Sequence, residues 1–435
     1  MKKLFTLLAI AMFFVPFNSN GQCVGDRYKL EIFSAFNLSS DIQYGNNINY
    51  AGFDEDLVLD VYEPDGDTLS NGDSVTDRPL ILLAHGGSFI GGSKTGSDVV
   101  PLAQSFAKMG YVVASINYRL GFQNPFALDS IDGTETVVRA VHDYRAAIRY
   151  FKKDFSENGN IYGIDTSLIF AGGVSAGAIT AVHVAYMDNP SEIPDYIDTN
   201  QAGLGGGIEG LSGNIGYQSK ITAVINIAGA LRDTNWMNMG DLPILSFHGD
   251  LDVTVPYATD VIPSPLGGDV MKVDGSFSIH KRANNIGIEN CFHTHFGAGH
   301  VPHTGNAIYT DTTIKVMANF MSSFVCNETL VCGTNDTLID FSIDPNAPNS
   351  PVSIYESFVD RTKIYPKPSS DIVNIESDFA IQSIQLTNLL GEIVVLKSSL
   401  NLNKTHLSKN NLPNGVYILT LNTVNGPITK KISFN

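Results

Sequence analysis

Hydrophobic and polar positions along the first three quarters of the chain describe strands that alternate with helices. The stretch EDLVLDVYEPD (55–65) alternates apolar and polar residues, which is typical of a half-buried antiparallel strand. Continuous apolar runs, typical of strands buried on both faces of a parallel sheet, occur at 79–87, 111–118, 167–173, 221–229 and 243–250. Helical patterns separate most of them, so the chain predicts an α/β fold: a mostly parallel sheet covered by helices on both faces.

One segment breaks this alternation. Residues 188–219 contain GLGGGIEGLSGNIGY, which has no apolar period and is dense in glycine. Long segments without regular structure inside a compact domain are commonly functional. We therefore expect a loop or lid over the carboxyl edge of the sheet, with a plain surface excursion as the alternative.

The pattern changes again near the carboxyl terminus. Residues 333–360 are rich in Asn, Asp, Pro and Ser and have little periodicity, which predicts a linker. Residues 361–435 contain short alternating runs separated by turns, which predict a small β-sandwich. The predicted divisions are an export signal at 1–21, a larger domain at 22–332, the linker, and the small domain.

Charge and the amino terminus restrict the class of protein. The formal net charge of the 435 residues is -17, which argues against nucleic acid and anionic membranes as partners. Lys2 and Lys3 precede an apolar stretch (4–17) and small or polar residues, which is the pattern of an export signal. That stretch is interrupted by Pro16 and is too short to span a bilayer, so we expect an exported protein with no membrane span.

Four cysteines remain after the export signal: Cys23, Cys291, Cys326 and Cys332. An even number in an exported protein predicts two disulfides, for which three connectivities are possible. A zinc site is the competing interpretation, but the sequence contains no C-x-x-C pair.

The segment IFAGGVSAGAIT (169–180) places Ser175 in the pattern G-x-S-x-G between a buried strand and a helical segment. A serine there occupies a sharp, strained turn that lifts its hydroxyl above the sheet, and flanking glycines remove side chains that would clash. The start of the following helix directs unpaired N–H groups toward the same place. Ser175 is therefore the candidate nucleophile.

HGGSFIGG (85–92) directly follows another buried strand. An ester carbonyl oxygen that becomes an oxyanion needs preorganised donors, and backbone N–H groups on glycines can approach it closely. The turn at Gly86 and Gly87, with the N–H of Ala176, supplies such donors. His85 precedes the candidate nucleophile in the chain, so we assign it a structural role.

An acid and a base should follow the nucleophile in the order Ser, Asp or Glu, His. HGDLDVTVPY (248–257) ends a buried strand and offers Asp252 as the acid, with Asp250 in reserve. HFGAGHVPH (295–303) offers His300 as the base, with His303 in reserve. The acid would hold the imidazole in one tautomer, and the imidazole would accept the serine proton.

The same region contains four histidines whose spacings could bind zinc: His293, His295, His300 and His303. No carboxylate–histidine motif such as H-E-x-x-H accompanies them. We therefore predict neither a metal nor another cofactor, and we expect His293 and His295 to pack locally beside Cys291.

These motifs resemble those of a known fold. Segment 79–325 looks like an α/β-hydrolase, and within that fold it resembles bacterial carboxylesterases of the hormone-sensitive-lipase and feruloyl-esterase type. The matching pieces are HGGSF (85–89), NYRL (117–120), GID (163–165), GVSAG (173–177), HGDLDVTVP (248–256) and GH (299–300).

The resemblance implies a catalytic triad of Ser175, Asp252 and His300. It also implies oxyanion donors from Gly87, Ala176 and either Gly86 or Ser88. Ser88 and Ala178 stand where these enzymes usually have glycines, and both keep the backbone N–H group.

The tail carries a second resemblance. IYPKPSSDIVNI, LTNLLGEIV, LPNGVYILTL and TKKISF look like pieces of the C-terminal sorting domain of the type IX secretion system of Bacteroidota. The resemblance implies export through the periplasm to the medium or the cell surface, with the secretion machinery as partner.

Together these observations predict a secreted serine carboxylic-ester hydrolase that acts through an acyl-enzyme. Acetyl, feruloyl or other short-acyl esters, or polyesters, are the expected substrates. A lipase or aminopeptidase on the same triad is the enzymatic alternative. A catalytically silent hydrolase-like binding domain is the non-enzymatic one, because fold alone does not establish chemistry. A calcium-dependent adhesive β-protein is a third interpretation, based only on acidic loops such as GTNDTLIDFSID.

Overall fold

The structure is a computed structural model that describes residues 23–68, 75–124, 129–263, 269–343, 345, 362–366, 369, 371–388, 393–410, 412–423 and 426–434. The predicted export signal lies outside the described residues, as does the predicted linker from residue 346 onward.

The larger domain is built on the predicted parallel sheet. Its strands in chain order are β1 (Phe36–Ile48), β2 (Asp54–Pro64), β3 (Arg78–Ala84), β4 (Val112–Ile116), β5 (Ile164–Val174), β6 (Ala223–Ile227), β7 (Ala230–Leu231), β8 (Ile244–Gly249), β9 (Thr259–Pro263), β10 (Asp269–Gly275) and β11 (Asn290–His295). Eight of them form one sheet in the order β1-β2-β4-β3-β5-β6-β8-β11. The pairs β1–β2 and β2–β4 are antiparallel, and the other neighbours are parallel. The predicted strand types and fold class are confirmed.

Helices cover both faces of this sheet. They are α1 (Val100–Lys108), α2 (Ser130–Glu157), α3 (Ala176–Tyr186), α4 (Ser276–Ile286) and α5 (Ala307–Val325). The core accordingly forms two clusters, one under α2, α3 and α4 and the other under α1 and α5. Every residue of β3, β4, β6 and β8 is buried, as their continuous apolar sequences require. Among the described residues, no helix is both long and apolar enough to cross a membrane.

A second, small sheet was not predicted. Strands β9 and β10 pair antiparallel as a hairpin, and β10 also pairs with β7. The hairpin is inserted in the chain between β8 and α4, and Ile262 and Met271 from it line a cavity at the carboxyl end of β5. It therefore lies where ligands bind in open α/β sheets.

The glycine-rich segment is fixed against the body of the domain. Arg119 donates to the carbonyl oxygens of Ile48 (2.6 Å) and Gly203 (2.9 Å) and forms a fully buried ion pair with Asp143 (2.7 Å). The Ser212 hydroxyl also donates to Asp143, at 2.5 Å.

Two other arginines, both in α2, contact the same segment. Arg149 donates to the carbonyl oxygens of Gly213 (3.0 Å) and Glu209 (2.8 Å), and Arg145 forms an ion pair with Glu209. Several glycines here have positive φ, including Gly203 (85°) and Gly206 (97°), which explains the composition. The glycine-rich part is thus a structural patch rather than the expected lid.

Both predicted disulfides are present. Cys23 pairs with Cys326, which joins the start of the described chain to the end of α5. Cys291, in β11, pairs with Cys332. The structure thereby selects one of the three possible connectivities.

Residues after Cys332 continue to pack on the larger domain. The side chain of Asn335 accepts from Thr294 N–H (2.9 Å) and donates to Thr294 C=O (2.8 Å), on the edge strand β11. The ring of Phe341 packs against Phe277 at 5.2 Å between centroids. The described packing therefore runs past the predicted domain boundary at residue 332, into the segment expected to be linker.

The carboxyl-terminal region forms a six-stranded antiparallel sheet. Its strands are β12 (Thr362–Tyr365), β13 (Ile372–Thr387), β14 (Ile393–Lys397), β15 (Leu402–Ser408), β16 (Gly415–Thr423) and β17 (Gly426–Phe434). The long strand β13 pairs with β12 and β15 along its first half and with β14 and β16 along its second half. Its alternating side chains, such as Val373 and Ile375, are buried, as the sequence pattern predicts.

Candidate active site

Ser175 lies at the sharp turn between β5 and α3. Its backbone has φ 54° and ψ -116°, a strained conformation for a residue other than glycine. The N–H of Ser175 donates to the carbonyl oxygen of Ile227 at 2.8 Å, which fixes the turn against the neighbouring strand β6. The sequence thus placed the serine correctly, at the carboxyl edge of the sheet and the start of a helix.

The two glycines of the motif are required by close contacts. A Cβ atom on Gly177 would lie 2.1 Å from the carbonyl oxygen of Ala84, and one on Gly173 would lie 2.3 Å from the backbone of Gly177. Real Cβ atoms do not make such contacts with backbone, so neither position accepts a larger residue without moving the chain. The turn and the helix can therefore approach strand β3 only with these residues.

His300 and Asp252 approach Ser175 from two loops that follow β11 and β8. Nε2 of His300 lies 2.8 Å from Oγ of Ser175, and Nδ1 of His300 lies 2.6 Å from Oδ2 of Asp252. The structure thus brings together the three residues that were named first for these roles. The arrangement allows a proton to pass from the serine hydroxyl to an imidazole that the carboxylate holds in one orientation.

Asp252 is surrounded by donors. Oδ1 accepts from the backbone N–H groups of Thr254 (2.8 Å) and Val255 (3.0 Å), and Oδ2 receives His300. Nε2 of a second histidine, His248, lies 3.3 Å from Oδ2. Burial raises the pKa of Asp252, but hydrogen bonds from His248 and His300 outweigh it and hold the pKa well below its usual range. The carboxylate therefore stays ionised over the whole physiological range.

The two reserve residues have other partners. Asp250 accepts from the N–H of Gly297 at 2.6 Å, and burial raises its pKa to about 6. His303 is buried, and its Nε2 lies 3.1 Å from the carbonyl oxygen of Asp98. No hydrogen bond joins either residue to Ser175 among those described.

The loop after β3 curls over Ser175. Gly87 has φ 118°, and the next two residues, Ser88 (54°) and Phe89 (58°), also have positive φ. The N–H of Gly86 donates to the carboxylate of Asp98 at 2.7 Å. Ser88 and Ala176 line the same cavity as Ser175.

His85 supports this loop from beneath. Its ring is buried, stacks on Tyr118 at 4.6 Å, and places Nδ1 2.7 Å from the carbonyl oxygen of Gly86. The hydroxyl of Tyr118 donates to the carbonyl oxygen of His85 at 2.7 Å. These contacts agree with the structural role predicted for His85.

A cavity of ≈ 300 Å³ opens beside Ser175. Its walls are mainly apolar and come from α2, α3, the β9–β10 hairpin and neighbouring loops, with contributions from Phe122, Val138, Ile179, Trp236, Ile262 and Met271. From the segment 188–219, only Glu192 and Pro194 reach it. Sequence reasoning missed the hairpin because its contribution depends on tertiary placement.

The remaining histidines of the predicted cluster are packed in the core. His295 stacks on Phe247 and contacts Tyr309 edge-on at 4.8 Å, and His293 lies 5.0 Å from His295 between ring centroids. Burial lowers the pKa of both rings. Within the described ranges, no three His, Cys, Asp or Glu side chains converge in a way that could hold a metal ion.

Comparison with known proteins finds partial relatives. The chain is 32% identical over 126 residues to neuroligin-like protein glit-1 of Caenorhabditis elegans, and 33% identical over 102 residues to gut esterase 1 of the same organism. These matches cover 29% and 23% of this chain but only 15% and 17% of the relatives, so the chain corresponds to less than a fifth of either.

Among solved structures, it is similar to a truncated carbohydrate esterase from gut microbiota (20% identity, TM-score 0.45). That match covers 67% of this chain and 97% of the other. Another similar structure is propionate-bound esterase 2 of Thermogutta terrifontis (19% identity, TM-score 0.44), with 62% and 91% covered.

Two family models match the chain. The BD-FAE model matches residues 59–231, which include the loop after β3 and Ser175 but end before Asp252 and His300. The model of the secretion system C-terminal sorting domain matches residues 363–435. Residues 59–231 therefore match an α/β-hydrolase esterase domain of the BD-FAE type, and residues 363–435 match a sorting domain of the type IX secretion system, which marks a protein for secretion or the cell surface.

Proposed function

We propose that the protein is a secreted serine carboxylesterase that hydrolyses esters through an acyl-enzyme. The observation that carries this proposal is the continuous hydrogen-bonded row from Ser175 through His300 to Asp252, with distances of 2.8 and 2.6 Å. The strained turn at Ser175 supports it, because such strain persists at sites where the geometry is needed for function.

Each residue of the row has one role. Oγ of Ser175 attacks the ester carbonyl carbon while its proton passes to Nε2 of His300. The tetrahedral intermediate collapses, the C–O bond to the alcohol breaks, and His300 returns the proton to the leaving alcohol. Water then attacks the acyl-serine, loses a proton to His300, and releases the carboxylic acid with regeneration of the Ser175 hydroxyl. Asp252 remains ionised and stabilises the imidazolium formed at each stage.

Attack by Ser175 and the later attack by water each give a tetrahedral intermediate with an oxyanion. We assign the stabilisation of this oxyanion to the backbone N–H groups of Gly87, Ser88 and Ala176. Gly86 was an equal candidate on sequence grounds, but its N–H already donates to Asp98. The left-handed backbone at Gly87 and Ser88 supports the assignment, because consecutive N–H groups in such turns point toward a common concave site.

The cavity supports substrates with an apolar acyl or aryl group. Trp236 and Phe122 line it, and a volume of ≈ 300 Å³ accommodates a short acyl chain or a single aromatic ring. Acetyl, feruloyl and other short-acyl esters of extracellular material are the proposed substrates, and the sorting domain directs the enzyme out of the cell, where such esters occur.

Ester hydrolysis tests the proposal directly. We expect the purified protein to hydrolyse p-nitrophenyl esters, with turnover falling as the acyl chain outgrows the cavity, and to hydrolyse methyl ferulate. Ser175→Ala should lower kcat by about 10⁴-fold or more while leaving the melting temperature nearly unchanged. A folded protein without esterase activity on the panel, or a fully active Ser175→Ala variant, would refute it.

A further inference from the structure

A buried row of polar side chains extends from Asp252 into the sheet. It consists of His248 from β8, Ser276 at the first position of α4, and Asn226 and Ser246 from the adjacent strands β6 and β8. All four side chains are fully buried. Neither the predicted site nor the proposed reaction uses them.

The hydrogen bonds of this row have a defined direction. The side-chain oxygen of Asn226 accepts from the N–H of Gly229 at 2.9 Å, so the other end of the amide is the NH₂ group. That NH₂ group donates to the hydroxyl oxygens of Ser246 (3.0 Å) and Ser276 (3.1 Å). Asn226 therefore uses both of its amide protons. Because the hydroxyl oxygen of Ser276 accepts one of them, the hydroxyl proton of Ser276 can be donated to another group.

The contacts of His248, at the opposite end of the row, determine which of its ring nitrogens carries the proton. Nε2 of His248 lies 3.1 Å from the carbonyl oxygen of Val255 and 3.3 Å from Oδ2 of Asp252. Both of those atoms can only accept a hydrogen bond, so Nε2 must carry the ring proton. With one proton on Nε2, Nδ1 is free to accept the hydroxyl proton of Ser276 at 2.7 Å.

We propose that His248, held in its Nε2–H tautomer by Ser276 and Asn226, is a positioning residue that donates a second hydrogen bond to Asp252 and so orients His300. The proposal rests on the proposed function of Ser175, Asp252 and His300. The N–H of His248 is shared between Asp252 and Val255.

The second donor matters because of where it contacts the carboxylate. Oδ1 of Asp252 is fixed by two backbone N–H groups, whereas Oδ2 is the atom that receives His300. His248 contacts the same Oδ2 and restricts rotation of the carboxylate about its own axis. Displacements near 1 Å in a catalytic geometry cost about 10²-fold in rate, so this restriction has a measurable effect.

His248 does not line the cavity, so a change there should leave substrate binding unaffected. Ser276→Ala removes the donor to Nδ1 with little change in volume, and His248→Leu removes the donor to Asp252. His248→Gln keeps an N–H donor near the former position of Nε2. We expect kcat to fall about 10- to 100-fold in His248→Leu and less in Ser276→Ala, with KM unchanged, and to recover largely in His248→Gln.

The tautomer itself is measured in the intact full chain by ¹H–¹⁵N correlation of histidine ring nitrogens at pH 7, with His248 assigned by its loss in His248→Gln. The proposal predicts a protonated Nε2 and an unprotonated Nδ1 for His248. The opposite tautomer, or a doubly protonated ring, would overturn it. So would folded His248→Leu and Ser276→Ala variants with unchanged kcat, or a His248→Gln variant as slow as His248→Leu. Failure of the proposed function would appear separately, as absence of ester hydrolysis in the unmodified protein whatever the tautomer.

Discussion

Replacing Arg119 with methionine should destabilise the larger domain strongly, although the residue is not part of the reaction. The guanidinium forms an ion pair with Asp143 at 2.7 Å, and both side chains are completely buried. It also donates to Gly203 C=O at 2.9 Å and to the Ser212 hydroxyl at 3.2 Å. Arg119→Met leaves the Asp143 carboxylate buried without its counterion and breaks the contacts that fix the glycine-rich segment.

Removing one partner of a buried ion pair typically costs 3–5 kcal/mol, chiefly because the other charge stays buried. A domain of about 310 residues has an unfolding entropy of roughly 0.65 kcal/mol/K, so the melting temperature should fall by about 5–8 °C. The double variant Arg119→Met, Asp143→Asn removes both charges. We expect it to recover most of the melting temperature that Arg119→Met alone loses. Lys315→Met, which breaks an exposed ion pair with Asp311, is the matched control and should cost less than about 1 kcal/mol.

The unfolding of the larger domain can be followed selectively, because Trp236 is the only tryptophan in the chain. Thermal unfolding monitored by its fluorescence gives the melting temperatures, and limited proteolysis should show faster cleavage within 203–216 in Arg119→Met. A melting temperature within about 1 °C of the unmodified protein, or a double variant that loses the sum of the two single effects, would refute the reasoning.

The remaining predictions concern the two aspartates near the site and the tail. Asp252→Asn should lower kcat by about 10⁴-fold, because the imidazole loses its fixed tautomer, whereas Asp250→Asn should stay near normal; equal losses in ester assays would contradict the assignment. Folding raises the pKa of Asp250 from 3.8 to about 6, so this group's contribution to stability falls as pH rises through that window. The free energy of unfolding of Asp250→Asn, measured in urea relative to that of the unmodified protein, should therefore rise by up to about 3 kcal/mol from pH 3 to pH 8. A difference between the two proteins that does not change with pH would contradict this. A chain that ends after Ile343 should keep ester hydrolysis but remain in the periplasm of a Bacteroidota host, as measured by fractionation; a folded but inactive product would show that the tail completes the site.

Much of the architecture was predictable because it depends on local pattern. Apolar runs such as PLILLA and AVINI lie on strands with every residue buried, and G-x-S-x-G required a strand-to-helix turn with no room for side chains at Gly173 and Gly177. The chain order of serine, aspartate and histidine then indicated which loops would meet. The residues named first as acid and base are the ones that the structure brings to Ser175.

The features that were missed depend on contacts between distant parts of the chain. The glycine-rich segment resembled a lid because nothing local shows that Arg119 contacts Gly203 across 84 positions. Asp98 removes Gly86 from the candidate donors through a contact that the glycine pattern does not reveal. His248 was treated as part of a motif, and only the three-dimensional structure shows its ring against Asp252.

The most direct test of the account is covalent labelling of the full chain with a fluorophosphonate, followed by intact mass and peptide mapping. Only a serine activated by a neighbouring base reacts readily, so the account predicts one adduct per chain, on Ser175. Ser175→Ala should remain unlabelled, and His300→Ala, which keeps the serine but removes its base, should label far more slowly. A folded protein that forms no adduct, or an adduct on another residue that persists in Ser175→Ala, would contradict the claim that Ser175 is the activated nucleophile.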